Sequence, residues 1–319
     1  MEVKLKVLRY DPEAPSAGRE YKSYTVNMPE SSTVLDSLIE VREYQDGTLS
    51  LRCSCRSSIC GSCAMRINGR ARLACKTQLG SVAKDGDEIT VEPAGNMPAI
   101  KDLVVDMAPF WNKIRAVKPW LQPAGPPPER EYLASKESMI ELVEVMNCIM
   151  CGACVSDCTV LEVDKSFLGP AALAKAYRFV HDPRDGNGAP RLRELSEPSG
   201  IWDCTRCNFC VQVCPKDVKP MEQIMRLRAA ATETGITNNA GSRHTFAFTS
   251  TVKEGGRLNE FQMLPRTHGL FNIPANLAEL PGGIRMIRAG KMPSPFTHKI
   301  PGHQHVRRIF KRFEHAKQA

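Results

Sequence analysis

The stretch Cys204-Thr205-Arg206-Cys207-Asn208-Phe209-Cys210-Val211-Gln212-Val213-Cys214-Pro215 spaces four cysteines by two, two and three residues and closes on a proline. Upstream, Cys148-x2-Cys151-x2-Cys154-x3-Cys158 has the same spacing. A third group, Cys55-x4-Cys60-x2-Cys63, is completed by Cys75 after eleven intervening residues. Thirteen cysteines in 319 residues is about 4%, well below the ~8–10% of a short disulfide-built chain. Their number is odd, and none lies between Cys75 and Cys148. Disulfides would be dispersed to close loops, whereas these residues are grouped like metal ligands.

The spacings identify the metal. The two later runs have the form used by two-cluster bacterial ferredoxins, in which the fourth cysteine of each run ligates the other cluster. One cluster is then expected on Cys148, Cys151, Cys154 and Cys214, the other on Cys204, Cys207, Cys210 and Cys158. The crossing would tie together two segments about fifty residues apart. Cys55, Cys60, Cys63 and Cys75 have the plant-type spacing of a [2Fe–2S] site. There Gly61, Ser57, Ser58 and Ser62 are small enough for backbone amides to approach the sulfurs and favour the reduced state. Zinc sites usually pair two separated knuckles, and two consecutive CxxC steps fit that pattern poorly. Cys53 is left over and reads as a bystander thiol.

Outward from the cysteines, Val3 to Val7 alternates apolar and polar, as a half-buried strand does, and Tyr21 to Val26 offers a partner. Thr33 and Asp36 make a capping-box-like start before Leu38, Ile39 and Val41, so a short helix is expected there. Glu88 to Glu92 reads as a closing strand. Prolines at 119, 123 and 126–128 mark a linker. Ile140, Leu142, Val143 and Met146 suggest a helix before the second group. Pro170 opens another, with Leu173, Ala176, Tyr177 and Val180 at helical spacing, and a third is expected over Met221–Ala231. The fold class is therefore α+β. A plant-type, β-grasp-like ferredoxin domain spans 1–105, a linker 106–135, a helical two-cluster domain 136–235, and an extension 236–319. In the extension only short helices near Ala275–Leu280 and Val306–Phe313 are legible.

The net charge of +8 belongs to that extension. Residues 240–319 hold thirteen Lys/Arg against four Glu and no Asp, so any anionic partner concerns this part. Six of the seven histidines also lie there: His244, His268, His298, His303, His305 and His315. They read as a solvated basic face, with metal ligation by His303 and His305 as the alternative. No run approaches the ~18 apolar residues of a membrane span. The amino terminus lacks the apolar core of a secretory signal and the Arg/Ser-rich character of a transit peptide, so a bacterial cytoplasmic chain is expected. No G-x-G-x-x-G or P-loop is present, so conversion of an organic substrate is left to a partner.

The words between the cysteines resemble those of the iron–sulfur subunits of succinate dehydrogenase and fumarate reductase. Cys60-Gly61-Ser62-Cys63-Ala64-Met65 with Ile67-Asn68-Gly69 is similar to that family's first-cluster loop, and Ile100 to Met107 to its interdomain segment. Phe167 to Leu173, running on to Ala176–Phe179, is similar to its helix between the runs, and Cys214-Pro215-Lys216 to its closing motif. The resemblance covers about residues 1–235. It implies a subunit of a succinate dehydrogenase in the tricarboxylic acid cycle and respiratory chain. Single electrons would pass from a partner FAD flavoprotein through [2Fe–2S], [4Fe–4S] and a third cluster. They would reach quinone near that cluster, at membrane-anchor subunits on the cytoplasmic face. No nucleic acid is expected as a partner. A fumarate reductase running the same path in reverse is the sibling reading.

Four departures from the family stand out. Relatives usually carry a [3Fe–4S] third cluster with a non-cysteine residue where this chain has Cys207, so here [4Fe–4S] is expected, with [3Fe–4S] as the alternative. Thr159 replaces a common proline, Val160–Val163 lack the tryptophans near quinone, and Thr205 stands where histidine is common; no quinone-contacting residue is carried over. Ser58 replaces a common glycine. The long extension is also unusual, and Gly290-Lys291, Pro301-Gly302 and Ile309-Phe310-Lys311 resemble the end of heterodisulfide-reductase iron–sulfur subunits. A thiol-linked reductase subunit is the runner-up, and a zinc-stapled nucleic-acid-binding protein the reading from another class. Purified protein is expected to be brown, with acid-labile sulfide; a colourless, zinc-containing protein would exclude the cluster assignment.

Overall fold

In the computed structural model, which describes residues 1–14, 18–269, 271–294, 296 and 298–316, the alternation at the amino terminus becomes strand β1 (Glu2–Tyr10), with Val3, Leu5 and Val7 buried. It pairs antiparallel with β2 (Arg19–Asn27). Helix α1 (Val34–Tyr44) follows, opened by the reciprocal Thr33–Asp36 capping box and burying Val34, Leu35, Leu38 and Val41 on one face. The hairpin β3 (Ala64–Ile67) and β4 (Arg70–Leu73) comes next, then β5 (Glu88–Glu92). The strand order is β2-β1-β5-β3-β4. β5 is therefore central, not the closing edge that its position suggests: it runs parallel to β1 and antiparallel to β3. Ile89 and Val91 are fully buried as a result. A two-residue ladder, β6 (Ala99–Lys101) with β7 (Val104–Val105), follows.

The proline-marked linker holds more structure than its composition indicates. Helix α2 (Ala108–Ala116) lies inside it, buries Phe110 and Ile114, and packs on α7 (Gly169–Val180). Between these come the short helices α3 (Lys136–Ile140), α4 (Val143–Met146), α5 (Ala153–Ser156) and α6 (Thr159–Val163). Then follow α8 (Gly188–Leu195), α9 (Phe209–Gln212) and α10 (Pro220–Glu233). Helix α5 packs against β3, β4, α7 and α9, so the sheet and the helices share a core. The chain divides into residues 1–230 and 231–319. The second unit contains α11 (Ala240–Gly255), α12 (Glu260–His268), α13 (Ile273–Ala278), α14 (Leu280–Arg288) and α15 (His303–Ala316). Its helix content exceeds what sequence reading found, because Gly, Pro and polar caps interrupt the periodicity. No helix among the described residues is long and apolar enough to cross a membrane.

One ionic knot fastens the first sheet. Arg9 donates from Nε to Asp102 Oδ1 (2.9 Å), from Nη1 to Asp46 Oδ2 (2.8 Å) and from Nη2 to Thr48 Oγ1 (2.9 Å). These carboxylates hold its guanidinium charged despite the cost of burial. Asp102 is 2% exposed and also accepts from the Tyr10 and Ser50 amides, joining three segments. Removing one partner of a buried charge pair typically costs about 3–5 kcal/mol. Arg9→Met is expected to lower the urea midpoint by a loss toward the low end of that range, and Arg9→Lys by less; equal midpoints for Arg9→Met and the native chain would contradict this.

Candidate functional site

The first cysteine loop is shaped by residues in left-handed conformation. Arg56, Ser58 and Gly61 have φ of 53°, 57° and 72°, which turns successive amides inward. The N–H groups of Ser57, Ile59 and Cys60 donate to Cys55 Sγ at 3.3, 3.4 and 3.3 Å. Cys63 immediately precedes β3 and Cys75 follows β4, so the hairpin carries these two together. Burial pushes the Cys63 thiol up to about 12, with the Cys75 and Cys60 thiols adding to it. Cys60, at the surface, is lowered to about 6 by hydrogen bonds from the Ser62 side chain and from backbone amides. The four thiols expected to act together are thus brought together. Cys53 packs instead at the margin of the domain's apolar core.

The two later runs repeat one backbone design. Positive φ falls two and four residues after the first cysteine of each: Met150 and Gly152 (56° and 78°), Arg206 and Asn208 (60° and 69°). A one-turn helix then begins, α5 in one and α9 in the other, capped by the left-handed Gly152 or Asn208. Asparagine tolerates this region, whereas Met and Arg adopt it only under constraint. The spacing is therefore a loop geometry, and the one-turn helix carries the third cysteine of each run and leads into the gap before the last.

Electrostatic neighbours fall into two overlapping sets among the eight thiols. Burial raises Cys151 to about 11, and its like-charged neighbours are Cys148 and Cys214. Fully buried Cys154 is raised well above its ordinary value, with Cys151, Cys148, Cys210 and Cys214 around it. Cys158 is raised by burial, then by Cys207 and Cys204. Cys210 reaches about 12 through burial, with Cys204, Cys158 and Cys207 as neighbours. Cys214 thus lies near the thiols of the first run and Cys158 near those of the second, and Cys210 is among the neighbours of Cys154. Exposed Cys207 differs. Burial lifts it, but hydrogen bonds from the Thr159 side chain (Oγ1 to Sγ, 3.5 Å) and from backbone amides outweigh that and lower it.

Sequence reading missed most of the residues that hold these groups in place. At Gly61 an added Cβ would lie 2.8 Å from both Cα and Cβ of Cys151, so the first loop touches the second group directly. Asn96 Nδ2 donates to the carbonyls of Val155 (2.9 Å), Ser156 (3.2 Å) and Cys158 (3.0 Å), and Asp157 Oδ2 accepts from the Ala71 amide (3.0 Å). Arg228, 6% exposed, donates from Nε to Ile201 O (2.8 Å) and from Nη2 to Trp202 O (2.9 Å) and Cys204 O (2.7 Å). Burial disfavours its charge and the Cys204 thiolate restores some of it. Gly61 was legible as a small residue of its loop, whereas Asn96, Asp157 and Arg228 belong to no pattern that sequence reading recognises.

The donor chemistry fits iron–sulfur clusters. All thirteen cysteines are free thiols. Among the described residues no three His, Cys, Asp or Glu side chains are grouped as ligands of a single ion. Buried thiols side by side resist ionisation, and a cationic iron core relieves that resistance. The tail histidines form no such group. His244 meets Thr267 Oγ1 (3.2 Å), His268 meets Glu279 (3.4 Å), and His303 meets Ile300 O (3.3 Å). The side chain of His315 lies outside the described residues.

Comparison with known proteins agrees with this chemistry. Residues 4–112 match the family described as 2Fe-2S iron-sulfur cluster binding domain, and residues 144–218 that described as 4Fe-4S dicluster domain. The chain is 34% identical over 285 residues to the 8-methylmenaquinol:fumarate reductase iron-sulfur subunit of Wolinella succinogenes, covering 86% of this chain and 88% of that protein. It is 40% identical over 229 residues to the fumarate reductase iron-sulfur subunit of Mycobacterium tuberculosis (71% and 92% covered). It is 36% identical over 222 residues to a mitochondrial succinate dehydrogenase [ubiquinone] iron-sulfur subunit of rice (68% and 78% covered). A chain of the Mycobacterium smegmatis Sdh1 complex is similar in structure, with a TM-score of 0.65 and 27% identity over 73% of this chain and 96% of that one.

Arg228→Gln keeps polar contacts but removes the buried cation beside Cys204, and cationic neighbours favour a reduced cluster. The cluster seated by Cys204 is expected to titrate tens of millivolts lower, with the other two unmoved; an unchanged redox titration would show that Arg228 acts only as a strut.

Proposed function

Since the chain belongs to the family of iron–sulfur subunits of succinate dehydrogenase and fumarate reductase, and is thus the electron-transfer subunit of an oxidoreductase complex, we propose that it links a FAD flavoprotein acting on succinate and fumarate to a menaquinone-type quinone. Three clusters would lie along its first 230 residues, each accepting and releasing one electron at a time. Cys55, Cys60, Cys63 and Cys75 hold [2Fe–2S]. Cys148, Cys151, Cys154 and Cys214 hold [4Fe–4S], and Cys158, Cys204, Cys207 and Cys210 hold the third cluster. The observation that supports this order most directly is the contact of Gly61 with Cys151, which brings the first loop against the second group. The nearness of Cys210 to Cys154 supports its continuation to the third group. The protein's part is to keep these groups adjacent, to bury them and to direct amides at the sulfurs.

For the third cluster the reading is [4Fe–4S]. Cys207 lies with Cys158, Cys204 and Cys210, and hydrogen bonds already favour its thiolate. A fourth thiolate adds negative charge and lowers the potential, which suits a low-potential quinone. Catalysis would be peripheral, on the cytoplasmic face of a bacterial membrane, through one or more anchor subunits. Family membership displaces the zinc-stapled reading.

The sense of electron flow is a second question. The expectation of succinate oxidation competes with fumarate reduction, and one observation favours the latter. The match to the Wolinella menaquinol:fumarate reductase subunit covers 86% of the chain, more than residues 1–230 supply, whereas the rice succinate dehydrogenase subunit matches 68%. That match therefore reaches into part of residues 231–319, which supports the fumarate-reducing reading. The purified complex is expected to reduce fumarate with a menaquinol analogue faster than it oxidises succinate with a ubiquinone analogue; the reverse ratio would restore the succinate-oxidising assignment. Oxidised native complex should show no three-iron EPR signal, and Cys207→Ala should create one. A strong three-iron signal in the native complex would overturn the four-iron assignment.

A further inference from the structure

Within residues 231–319, α11 packs against α12 and α15, and these helices bury Ala247, Thr251, Met263 and Thr267. Helices α13 and α14 bury nothing. Glu279 ends one and begins the other with helical dihedrals (φ −84°, ψ −12°), so the helical path runs almost unbroken from Ile273 to Arg288. Along it Ile273, Leu277, Leu280, Ile284 and Ile287 recur at steps of four, three, four and three, which places them on one face. All five are exposed, Ile287 by 63%, and Phe271 just before them is 97% exposed. This is an apolar ridge that no described residue buries, on a helix that Gly282 and Gly283 make intrinsically weak.

Charge identifies the occupant. From Leu280 to Phe313 the chain has eight Arg/Lys and no acidic residue. Arg285 and Arg288 flank the ridge on α14, and Lys291 follows it. The acidic residue at its head, Glu279, faces His268 at 3.4 Å. Helix α15 adds Arg307, Arg308, Lys311 and Arg312 around exposed Ile309 and Phe313. A protein groove would complement the ridge with apolar surface and needs no such uniform charge. An apolar stripe bordered by cations, with Glu279 as its one acidic neighbour, on a helix too short to span, fits the boundary between acyl chains and anionic headgroups.

We infer that α13 and α14 form an interfacial lipid-binding element, which seats the apolar ridge from Ile273 to Ile287 in an anionic phospholipid surface while the neighbouring arginines and lysines contact headgroup phosphates. The inference deepens the peripheral membrane placement proposed above and gives the chain a membrane contact of its own, separate from any anchor subunit.

The test uses the full-length, cluster-loaded chain and sedimentation with vesicles of phosphatidylglycerol and phosphatidylcholine, or of phosphatidylcholine alone. The chain is expected to sediment with the anionic vesicles, at least tenfold more weakly with the neutral ones, and to be released by high salt. Ile284→Asp with Ile287→Asp should weaken binding at least tenfold. Arg285→Gln with Arg288→Gln, which preserves the helix, should weaken it severalfold. Circular dichroism and the cluster spectrum serve as controls for folding. Native chain that ignores anionic vesicles, or variants that bind as the native chain does, would overturn the inference. If the aspartate variants instead lose anchor subunits while the native chain ignores vesicles, the ridge belongs to a protein partner. A failure of the electron-transfer proposal would appear separately, in cluster signals and quinone-linked activity that vesicle binding does not report.

Discussion

At Gly61 the first cysteine loop meets Cys151 so closely that even a methyl group would overlap the backbone. Much of the surrounding structure bears on this contact. The sheet presents the first loop, the β3–β4 hairpin supplies Cys63 and Cys75, and α5 lies against that hairpin while beginning just after Cys151. Asn96 and Asp157 tie the same helix to the sheet domain through backbone hydrogen bonds. A chain of one-electron carriers functions only if neighbours are close, and here closeness is set by the absence of a side chain and by amides with fixed partners.

Burial provides the second constraint. Cys63, Cys151, Cys154, Cys158 and Cys210 are all raised above the ordinary thiol value, chiefly by loss of water. Left as thiols they are merely packed; paired with iron they become ligands in a dry site where potentials respond strongly to neighbouring charges. Arg228 and Cys207 illustrate the two signs. Buried Arg228 brings positive charge to the Cys204 loop, and Cys207 brings a thiolate at the surface.

Much of this was legible in the cysteine spacing, because a spacing is a loop geometry. The left-handed pairs at Met150/Gly152 and Arg206/Asn208 show the two runs folding alike. The capping box at Thr33 and the proline-started helix at Gly169 were equally local. What escaped depends on distant contacts. β5 sits at the centre of the sheet because of its pairing with β1 and β3, which no local pattern encodes. Helix α2 hides in a proline-rich region because its burial is supplied by α7. The long α11 is obscured by threonines and glycine that fit a helix only once α12 and α15 cover it.

The crossing of the two runs is the central claim, and substituting single ligands tests it most directly. In redox-poised EPR of the complex, Cys214→Ser and Cys148→Ser are predicted to alter the same cluster signal, while Cys214→Ser and Cys204→Ser alter different ones. Cys158→Ser should follow Cys204→Ser. If Cys214→Ser and Cys204→Ser instead perturb one and the same signal, each run keeps its own cluster and the account of the two groups is wrong.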